Sequence, residues 1–169
     1  MTPKLTIGQS HAITKFVLWL EKNTSGEPFV LSGFAGSGKT FLAMKFLEIV
    51  DQENLCWTVA APTHKAVGVL QSALKKEGLR PTWFPSTIHR LLRLKLRRKG
   101  NIELCEETKQ TSNSLDDLAL VIIDESSMID SKLLEIVIKC AYSSKTRLVF
   151  IGDPSQLPPV GETRSSVFS

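Results

Sequence analysis

The chain has 169 residues, of which 42% are apolar and 22% charged, and this is the size and composition of one ordinary globular domain. No apolar run is long enough to span a bilayer and no secretory signal is visible, so we expect no membrane contact and a cytoplasmic location. The net charge of +4 is too small to indicate a partner, and the three separated cysteines form no CxxC pair that would indicate a zinc site.

Helix and strand patterns alternate along most of the chain. The predicted helices cover 8–22, 40–50, 65–77 and 131–141, and the predicted strands cover 29–31, 57–61, 120–123 and 147–151. This alternation predicts an α/β fold, with a mostly parallel sheet and helices on both of its faces. Because the strands are continuous apolar runs, we expect them to be buried on both sides.

Residues 93–107 break this alternation. Leucines and basic residues alternate with a period of two, and the pattern resumes after a turn segment at 99–101, so we predict a small β-hairpin inserted in the domain. The basic stretch 90–99 includes Arg97 and Arg98. It either contacts nucleic-acid phosphates or forms a solvated charged face.

Two registers of this hairpin are compatible with the sequence. A three-residue loop centred on the turn glycine places Leu96 opposite Leu104 and Arg97 opposite Glu103. A two-residue loop shifts the pairing by one residue, so that Glu103 faces Arg98. We favour the three-residue loop because it separates an apolar face from an ion-paired face.

A glycine-rich segment, GFAGSGKT, follows the first predicted strand and precedes a helix. It matches the P-loop pattern G-x-x-x-x-G-K-[ST]. Glycines allow such a loop to wrap around phosphates, and the helix directs its positive end at the same anion. Lys39 is expected to reach the β- and γ-phosphates, and the Thr40 hydroxyl to bind Mg²⁺. The residues expected to contact ATP here are Gly33, Ala35, Gly36, Ser37, Gly38, Lys39 and Thr40.

Acidic and amide side chains follow two later strands. The strand at 120–123 ends in Asp124 and Glu125, and Gln156 follows the strand at 147–151. The carboxyl ends of parallel strands face the crevice where such sheets bind ligands. We therefore expect Asp124 to hold Mg²⁺, and Glu125 to orient and deprotonate the attacking water. Gln156 can donate to a γ-phosphate, or it can belong to a proline-stiffened turn.

Small polar and basic residues follow the second strand and open the segment at 86–89. The segment after the second strand contains Pro62, Thr63, His64 and Lys65, and the segment 86–89 contains Thr87 and His89. Such side chains suit contacts to sugar and phosphate. The two histidines fit a capping or core-edge role equally well, and neither is expected to be catalytic.

In this order, the segments resemble the motifs of superfamily 1 DNA helicases, particularly the RecD/Dda-like group. LTIGQSHA resembles the Q motif, GFAGSGKT motif I, APTHKAV motif Ia and STIHRLL the next DNA-contacting segment. IIDESSMID resembles motif II, and GDPSQLPPVGE resembles motif III. The resemblance spans nearly the whole chain.

The resemblance implies one N-terminal RecA-like motor domain over 1–169, from an ATP-dependent 5′-to-3′ DNA helicase. ATP and Mg²⁺ are the implied cofactors, and single-stranded DNA and junctions with duplex are the implied partners. Gln9 is implied to read the adenine edge, and the hairpin to act as a strand-separating pin. Among the residues above, those implied at ATP are Lys39, Thr40, Asp124, Glu125 and Gln156, and those implied along DNA are Pro62, Thr63, His64, Thr87 and His89.

The second RecA-like domain of that family, which supplies an arginine finger, has no motif within these 169 residues. We therefore expect this chain to be a monomer that turns ATP over very slowly. A nucleotide-binding or partner-docking module is the alternative. Another P-loop ATPase, such as a clamp loader or nucleotide kinase, is disfavoured by the Gln9 segment and by motifs Ia and III.

Overall fold

Seven strands and five helices make up the part of the chain that the structure, a computed structural model, describes: residues 4–22, 26–156, 159 and 165–168. The strands are β1 (Phe29–Ser32), β2 (Trp57–Ala61), β3 (Ser86–Thr87), β4 (Lys95–Lys99), β5 (Ile102–Glu106), β6 (Leu120–Ile123) and β7 (Arg147–Gly152). The helices are α1 (Ile7–Lys22), α2 (Lys39–Gln52), α3 (His64–Glu77), α4 (Ile88–Leu91) and α5 (Ser131–Ser144). Two 3₁₀ turns lie at Thr111–Asn113 and Ser126–Met128.

The main sheet of the described residues is parallel throughout, in the order β1-β7-β6-β2-β3. Helices α1, α2 and α3 cover one face, where Phe16 stacks on Phe46 with ring centroids 4.2 Å apart and Phe29 meets both edge-on. Helices α4 and α5 cover the other face, against Val121, Phe150 and their neighbours. The predicted α/β fold with helices on both faces is confirmed.

The register of the sheet places the carboxyl ends of its strands at one edge. Ala60 lies opposite Ile123, Ile123 opposite Phe150, and Ser32 opposite Gly152. The loops that leave these strands therefore start side by side, at the edge where parallel α/β sheets bind their ligands.

The prediction of uniformly buried strands is wrong for β1. Strands β2 and β6 are buried at every position, but in β1 the burial alternates and Val30 is 44% exposed. The reason is position: β1 is an edge strand, so one of its faces lacks the full cover of the central strands. Strand β3 and helix α4 were not predicted, because two and four residues are too few to show a period.

The hairpin at residues 93–107 is present as the antiparallel pair β4–β5. Its base is closed by a hydrogen bond from the Thr108 hydroxyl to the Arg93 carbonyl, 2.9 Å long. The favoured three-residue loop is wrong. Lys99 pairs with Ile102, so the loop has two residues.

This register pairs Leu96 with Cys105 and Arg98 with Glu103. Gly100 has φ 66°, the positive value that the first position of a tight type II′ turn requires. The turn rather than the side-chain pattern sets the register, because β4 is exposed at every position and neither face is selected by burial.

None of the helices in the described part of the chain is long and apolar enough to cross a bilayer.

Candidate nucleotide-binding cleft

The glycine-rich loop joins β1 to α2, and its lysine is the first residue of that helix. Gly38 precedes the helix with φ 83°, a left-handed conformation that glycine adopts without strain. Its carbonyl accepts a hydrogen bond from Leu42 N–H at 3.0 Å, which starts the helix. Lys39 Nζ lies over the loop and donates to the carbonyl oxygens of Gly33 (2.6 Å) and Phe34 (2.8 Å).

Two acids follow β6 directly. The Glu125 N–H donates to Asp124 Oδ1 at 2.8 Å. Burial raises the pKa of Asp124, against opposing effects of this N–H and of the Lys39 charge. Burial also raises the pKa of Glu125, which is raised further by the charges of Asp124 and Asp153 and lowered by Lys39. A carboxylate with a raised pKa binds a proton more readily, as a general base requires.

The backbone at Glu125 is strained. Its φ of 53° puts a non-glycine residue in the left-handed region, which costs about 1–3 kcal/mol. Of the five such residues in the described part of the chain, Glu125 is the one that lines the cleft. The residue introduces the 3₁₀ turn Ser126–Met128, and the Ser126 hydroxyl donates back to the Ile123 carbonyl at 2.8 Å. The turn directs the chain away immediately after the second acid.

The segment after β7 is tied to the glycine-rich loop through Asp153, for which no role was predicted. Its Oδ2 accepts a hydrogen bond from Ala35 N–H at 3.0 Å, and its Oδ1 accepts from the N–H (2.9 Å) and hydroxyl (2.6 Å) of Ser155. The Ser155 bonds are the main cause that lowers the pKa of Asp153, with smaller effects of Ala35 N–H and Lys39. Asp153 therefore stays ionised.

Gln156 is placed by the same turn. Its N–H donates to the Asp153 carbonyl at 3.1 Å, and its Oε1 lies 3.5 Å from the Ser127 hydroxyl. One carboxylate thus joins the glycine-rich loop to the turn that carries Gln156. The only sequence feature that could have indicated this role of Asp153 is a Gly-Asp pair at the end of an apolar strand.

Most of the predicted nucleotide residues meet in one cleft of about 430 Å³. Its lining consists of Ala35, Gly36, Gly38, Lys39, Thr40, Asp124, Glu125, Gly152, Asp153 and Gln156. Gly33 and Ser37 are not among these lining residues. Gly33 contributes its carbonyl to the bond with Lys39 instead.

Gln9 lies beside the loop, in the first turn of α1. Its Oε1 accepts from Thr6 N–H at 2.9 Å, and its own N–H donates to the Thr6 hydroxyl at 3.2 Å, which is the reciprocal pattern of a capping box. Its Nε2 is directed at the loop, 3.0 Å from where a Cβ on Gly38 would lie. The amide is therefore oriented by the helix cap, next to the cleft.

The residues predicted to contact DNA occupy two places. The first four, Pro62, Thr63, His64 and Lys65, follow β2. Thr87 ends the neighbouring β3, where it lies opposite Ala61, and His89 lies in the following helix α4. The hydroxyls of Thr63 and Thr87 accept from Ala66 N–H (3.2 Å) and Arg90 N–H (3.3 Å), and so cap α3 and α4. His64 and Lys65 are exposed, and His89 is half-buried.

Arg97 and Arg98 lie apart from that edge, on the hairpin. Arg97 Nε is 2.9 Å from Glu106, diagonally across the strands, and Arg98 is 3.1 Å from Glu103 directly opposite. Both arginines are thus already ion-paired, so a phosphate contact would compete with a carboxylate.

A parallel sheet with helices on both faces and a glycine-rich loop, lysine, hydroxyl and acids at its carboxyl edge defines a P-loop nucleoside triphosphatase domain of the RecA-like type. Comparison with known proteins identifies the family. An AAA domain family matches residues 19–162, so the chain belongs to that family, and over part of their length it is similar to the RecD and Pif1 helicases. The predicted resemblance is confirmed at this level.

Three relatives show the extent of the sequence similarity. The uncharacterized protein R530 of Acanthamoeba polyphaga mimivirus is 35% identical over 95% of this chain and 35% of its own length. The RecBCD enzyme subunit RecD of Buchnera aphidicola is 30% identical over 78% of this chain and 23% of its own. The ATP-dependent DNA helicase Pif1 of Bdellovibrio bacteriovorus is 31% identical over 82% of this chain and 31% of its own. The chain spans about a third or less of these relatives.

A solved structure agrees in fold. The crystal structure of Bacteroides sp Pif1 in complex with ADP-AlF4 superposes with a TM-score of 0.61 at 21% identity, over 98% of this chain and 36% of that one.

Proposed function

We propose that this chain is the ATP-hydrolysing motor domain of a DNA helicase. The observation that carries the proposal is the single cleft that gathers a P-loop lysine and hydroxyl, two acids and a glutamine. The strand exits with the exposed polar residues open at the same edge of the sheet. In this proposal, nucleotide chemistry and nucleic-acid binding lie side by side at one edge of the sheet.

In the proposed site the loop amides and Lys39 bind the phosphates of ATP. The Thr40 hydroxyl and the Asp124 carboxylate are hard oxygen donors lining one cleft, so the residues present fit Mg²⁺. When bound, Mg²⁺ supplies neutralisation of phosphate charge. Burial that raises the pKa of Asp124 also fits, because a buried carboxylate gains most from a nearby cation.

Glu125 is the proposed general base. It accepts a proton from water as the water oxygen bonds to the γ-phosphorus, and the bond from that phosphorus to the bridging oxygen breaks to release ADP. Gln156 donates to the γ-phosphate and responds to its loss. Gln9 contacts the adenine edge: its Nε2 donates to N7, and its Oε1, with the lone pair that the cap does not use, accepts from the N6 amino group.

Single-stranded DNA is the proposed partner of the β2 and β3 exits, with phosphates near His64 and Lys65. The helicase relatives support this assignment in general terms. Translocation from 5′ to 3′, a wedge role for the hairpin, and a second RecA-like domain enter the proposal by resemblance alone.

We further propose that the 169-residue chain by itself hydrolyses ATP slowly. Among the described residues that line the cleft, the only cation is Lys39. An arginine supplied from outside contributes about 10³–10⁵ in rate in related phosphoryl-transfer sites. The same observation favours the second candidate, a nucleotide-binding module with negligible turnover of its own.

The test measures binding and turnover together. Phosphate release and oligothymidylate binding are followed for the wild type, for Glu125→Gln in the cleft and for Lys65→Ala at the β2 exit. The proposal expects Glu125→Gln to lose turnover but keep DNA binding, and Lys65→Ala to weaken DNA binding only. ATP turnover without any DNA binding would contradict the helicase assignment, and fast turnover by this chain alone would contradict the requirement for an outside arginine.

A further inference from the structure

A groove that the nucleotide chemistry does not use runs along the β3 edge of the sheet. This edge groove has a volume of about 610 Å³ and lies between α3 and the segment 78–85. Leu74 and Leu79 form its floor and are buried or half-buried, while the Phe84 ring at its side is 91% exposed. The ring and the leucine floor together form one contiguous apolar surface, and it is such a surface, rather than a single exposed ring, that marks a binding site.

Phe84 is held by the sheet and does not belong to a loose loop. Thr82 N–H donates to the Trp57 carbonyl at 2.8 Å, and the Thr58 hydroxyl donates to the Trp83 carbonyl at 2.7 Å. Trp83 packs against the core on the α4 and α5 face. Phe84 lines the edge groove together with residues of α3, so it lies on the opposite side of the sheet edge from Trp83.

Two basic side chains lie in the edge groove with the Phe84 ring. Lys75 and Arg80 line the edge groove, and no carboxylate is among its lining residues. In the described part of the chain, neither of these two cations forms an ion pair. The groove therefore combines an apolar ring with uncompensated positive charge, which suits a ligand that is flat and apolar in part and anionic in part.

The edge groove is continuous with the proposed nucleic-acid edge. Phe84 lies three residues before Thr87, about 10 Å along an extended chain, and Thr87 sits beside Ala61 at the β2 exit. The groove runs from this level toward the amino ends of the strands, since Thr82 N–H bonds to Trp57 at the start of β2. A nucleic-acid strand would therefore follow the edge of the sheet from the β2 and β3 exits to reach Lys75 and Arg80.

We propose that the edge groove is a second, sequence-independent contact site for single-stranded nucleic acid. Phe84 stacks on one base, and Lys75 and Arg80 contact the flanking phosphates. Every base has a π-face and every nucleotide a phosphate, so this combination binds without reading sequence. The inference rests on the proposed function, because it extends the track assigned there to DNA.

The experiment is fluorescence anisotropy with the full 169-residue chain and labelled oligothymidylate, comparing Phe84→Ala with the wild type. Tyr142→Ala is the matched control, since Tyr142 is an aromatic side chain 81% exposed on α5, which covers the opposite face. The expected result is roughly a fivefold or greater loss of affinity for Phe84→Ala, no loss for Tyr142→Ala, and recovery with Phe84→Trp. Replacing Lys75 and Arg80 together with glutamine should lower the salt slope by about 1.4.

The outcomes separate this inference from the function beneath it. If Lys65→Ala weakens DNA binding but Phe84→Ala does not, the edge groove is not part of the track and the inference is wrong, while the DNA assignment stands. If the wild type binds no oligothymidylate, both are wrong. If a glutamate-rich peptide with one phenylalanine binds and is lost in Phe84→Ala while DNA binding is unchanged, the groove is a peptide site. Thermal melting of each variant checks that the exposed substitutions leave the fold intact.

Discussion

The nucleotide cleft and the hairpin hold their charged side chains in opposite ways. In the cleft, Asp153 is buried and accepts three hydrogen bonds from two separate segments. On the hairpin, Arg98 and Glu103 form an ion pair whose side chains are 81% and 56% exposed. The three donors fix the Asp153 carboxylate in one position, whereas an exposed ion pair is screened by water and contributes only about 0–1 kcal/mol. The cleft is therefore a preorganised site, and the hairpin is a surface held mainly by its turn.

The largest expected effect is at the proposed base. Glu125→Gln keeps the shape of the side chain but cannot accept a proton, so phosphate release should fall by about 10²–10⁴-fold. Nucleotide binding should be retained, because the loop amides and Lys39 are untouched. Single-turnover assays at excess protein measure both, and an unchanged rate would remove Glu125 from the chemistry.

A smaller effect is expected at the carboxylate that ties the cleft together. Asp153→Asn leaves one acceptor oxygen for bonds that now use two, so either the Ala35 amide or the Ser155 group loses its partner. We expect kcat to fall by about 10- to 100-fold, the equivalent of one charge-assisted hydrogen bond.

The matched control for this prediction is Ser155→Ala, which removes one donor and leaves the bond to the loop. Its effect on kcat should be clearly smaller. Equal effects of the two substitutions would mean that the bond from Asp153 to the glycine-rich loop has no part in turnover.

Base selectivity tests whether the cleft extends to Gln9. Gln9→Ala should weaken ATP binding more than GTP binding, by roughly 1 kcal/mol, because it removes the acceptor for the adenine N6 amino group, where guanine carries a carbonyl oxygen instead. Thr6→Ala removes the other half of the α1 cap and serves as control. Both variants should lose roughly 0.5–2 kcal/mol of stability, but only Gln9→Ala should change the ATP-to-GTP ratio of dissociation constants.

We also expect the buried carboxylate of Asp124 to lower the free energy of unfolding of the domain. The raised pKa of Asp124 means that its ionised form is disfavoured in the folded state, so stability falls as pH rises from the ordinary value of 3.8 through the raised folded value. Without Mg²⁺, Asp124→Asn should raise the stability at neutral pH by roughly 0.5–2 kcal/mol. The gain should vanish below the ordinary pKa. Urea denaturation across pH measures it, and a loss of stability at neutral pH would contradict the sign.

The smallest effect is the coupling across the hairpin. A double-mutant cycle on Arg98 and Glu103 should give about 0.2–1 kcal/mol, and a cycle on Arg97 and Glu103 should give none. A larger coupling energy for Arg97 and Glu103 than for Arg98 and Glu103 would instead indicate the register with a three-residue loop.

The contrast between buried and exposed regions also explains which parts of the fold and of the cleft could be predicted from the sequence. Both bounds of β2 and of β6 were predicted, because strands buried on two faces are uninterrupted apolar runs. Eight of the ten cleft-lining residues were predicted, because the phosphate-binding loop and the strand-end acids require fixed residue types at fixed spacings.

The missed features lack such a local signal. The hydrogen bond from Ala35 to Asp153 joins residues 118 positions apart, and no sequence pattern within either segment predicts it. The hairpin register was missed because exposed strands carry no burial pattern, so the conformation of Gly100 decides it. Phe84 lies in an extended segment without period, and its exposure emerges only from the packing of Trp83.

The most direct test of the central claim, that the cleft is an ATP site, is calorimetric titration of ATP with Mg²⁺ into the wild type and Lys39→Ala. Tyr142→Ala is the control for an exposed substitution elsewhere. The account predicts saturable one-to-one binding by the wild type and by Tyr142→Ala, and its loss in Lys39→Ala. Absence of binding to the wild type, or equal affinity in Lys39→Ala, would contradict it.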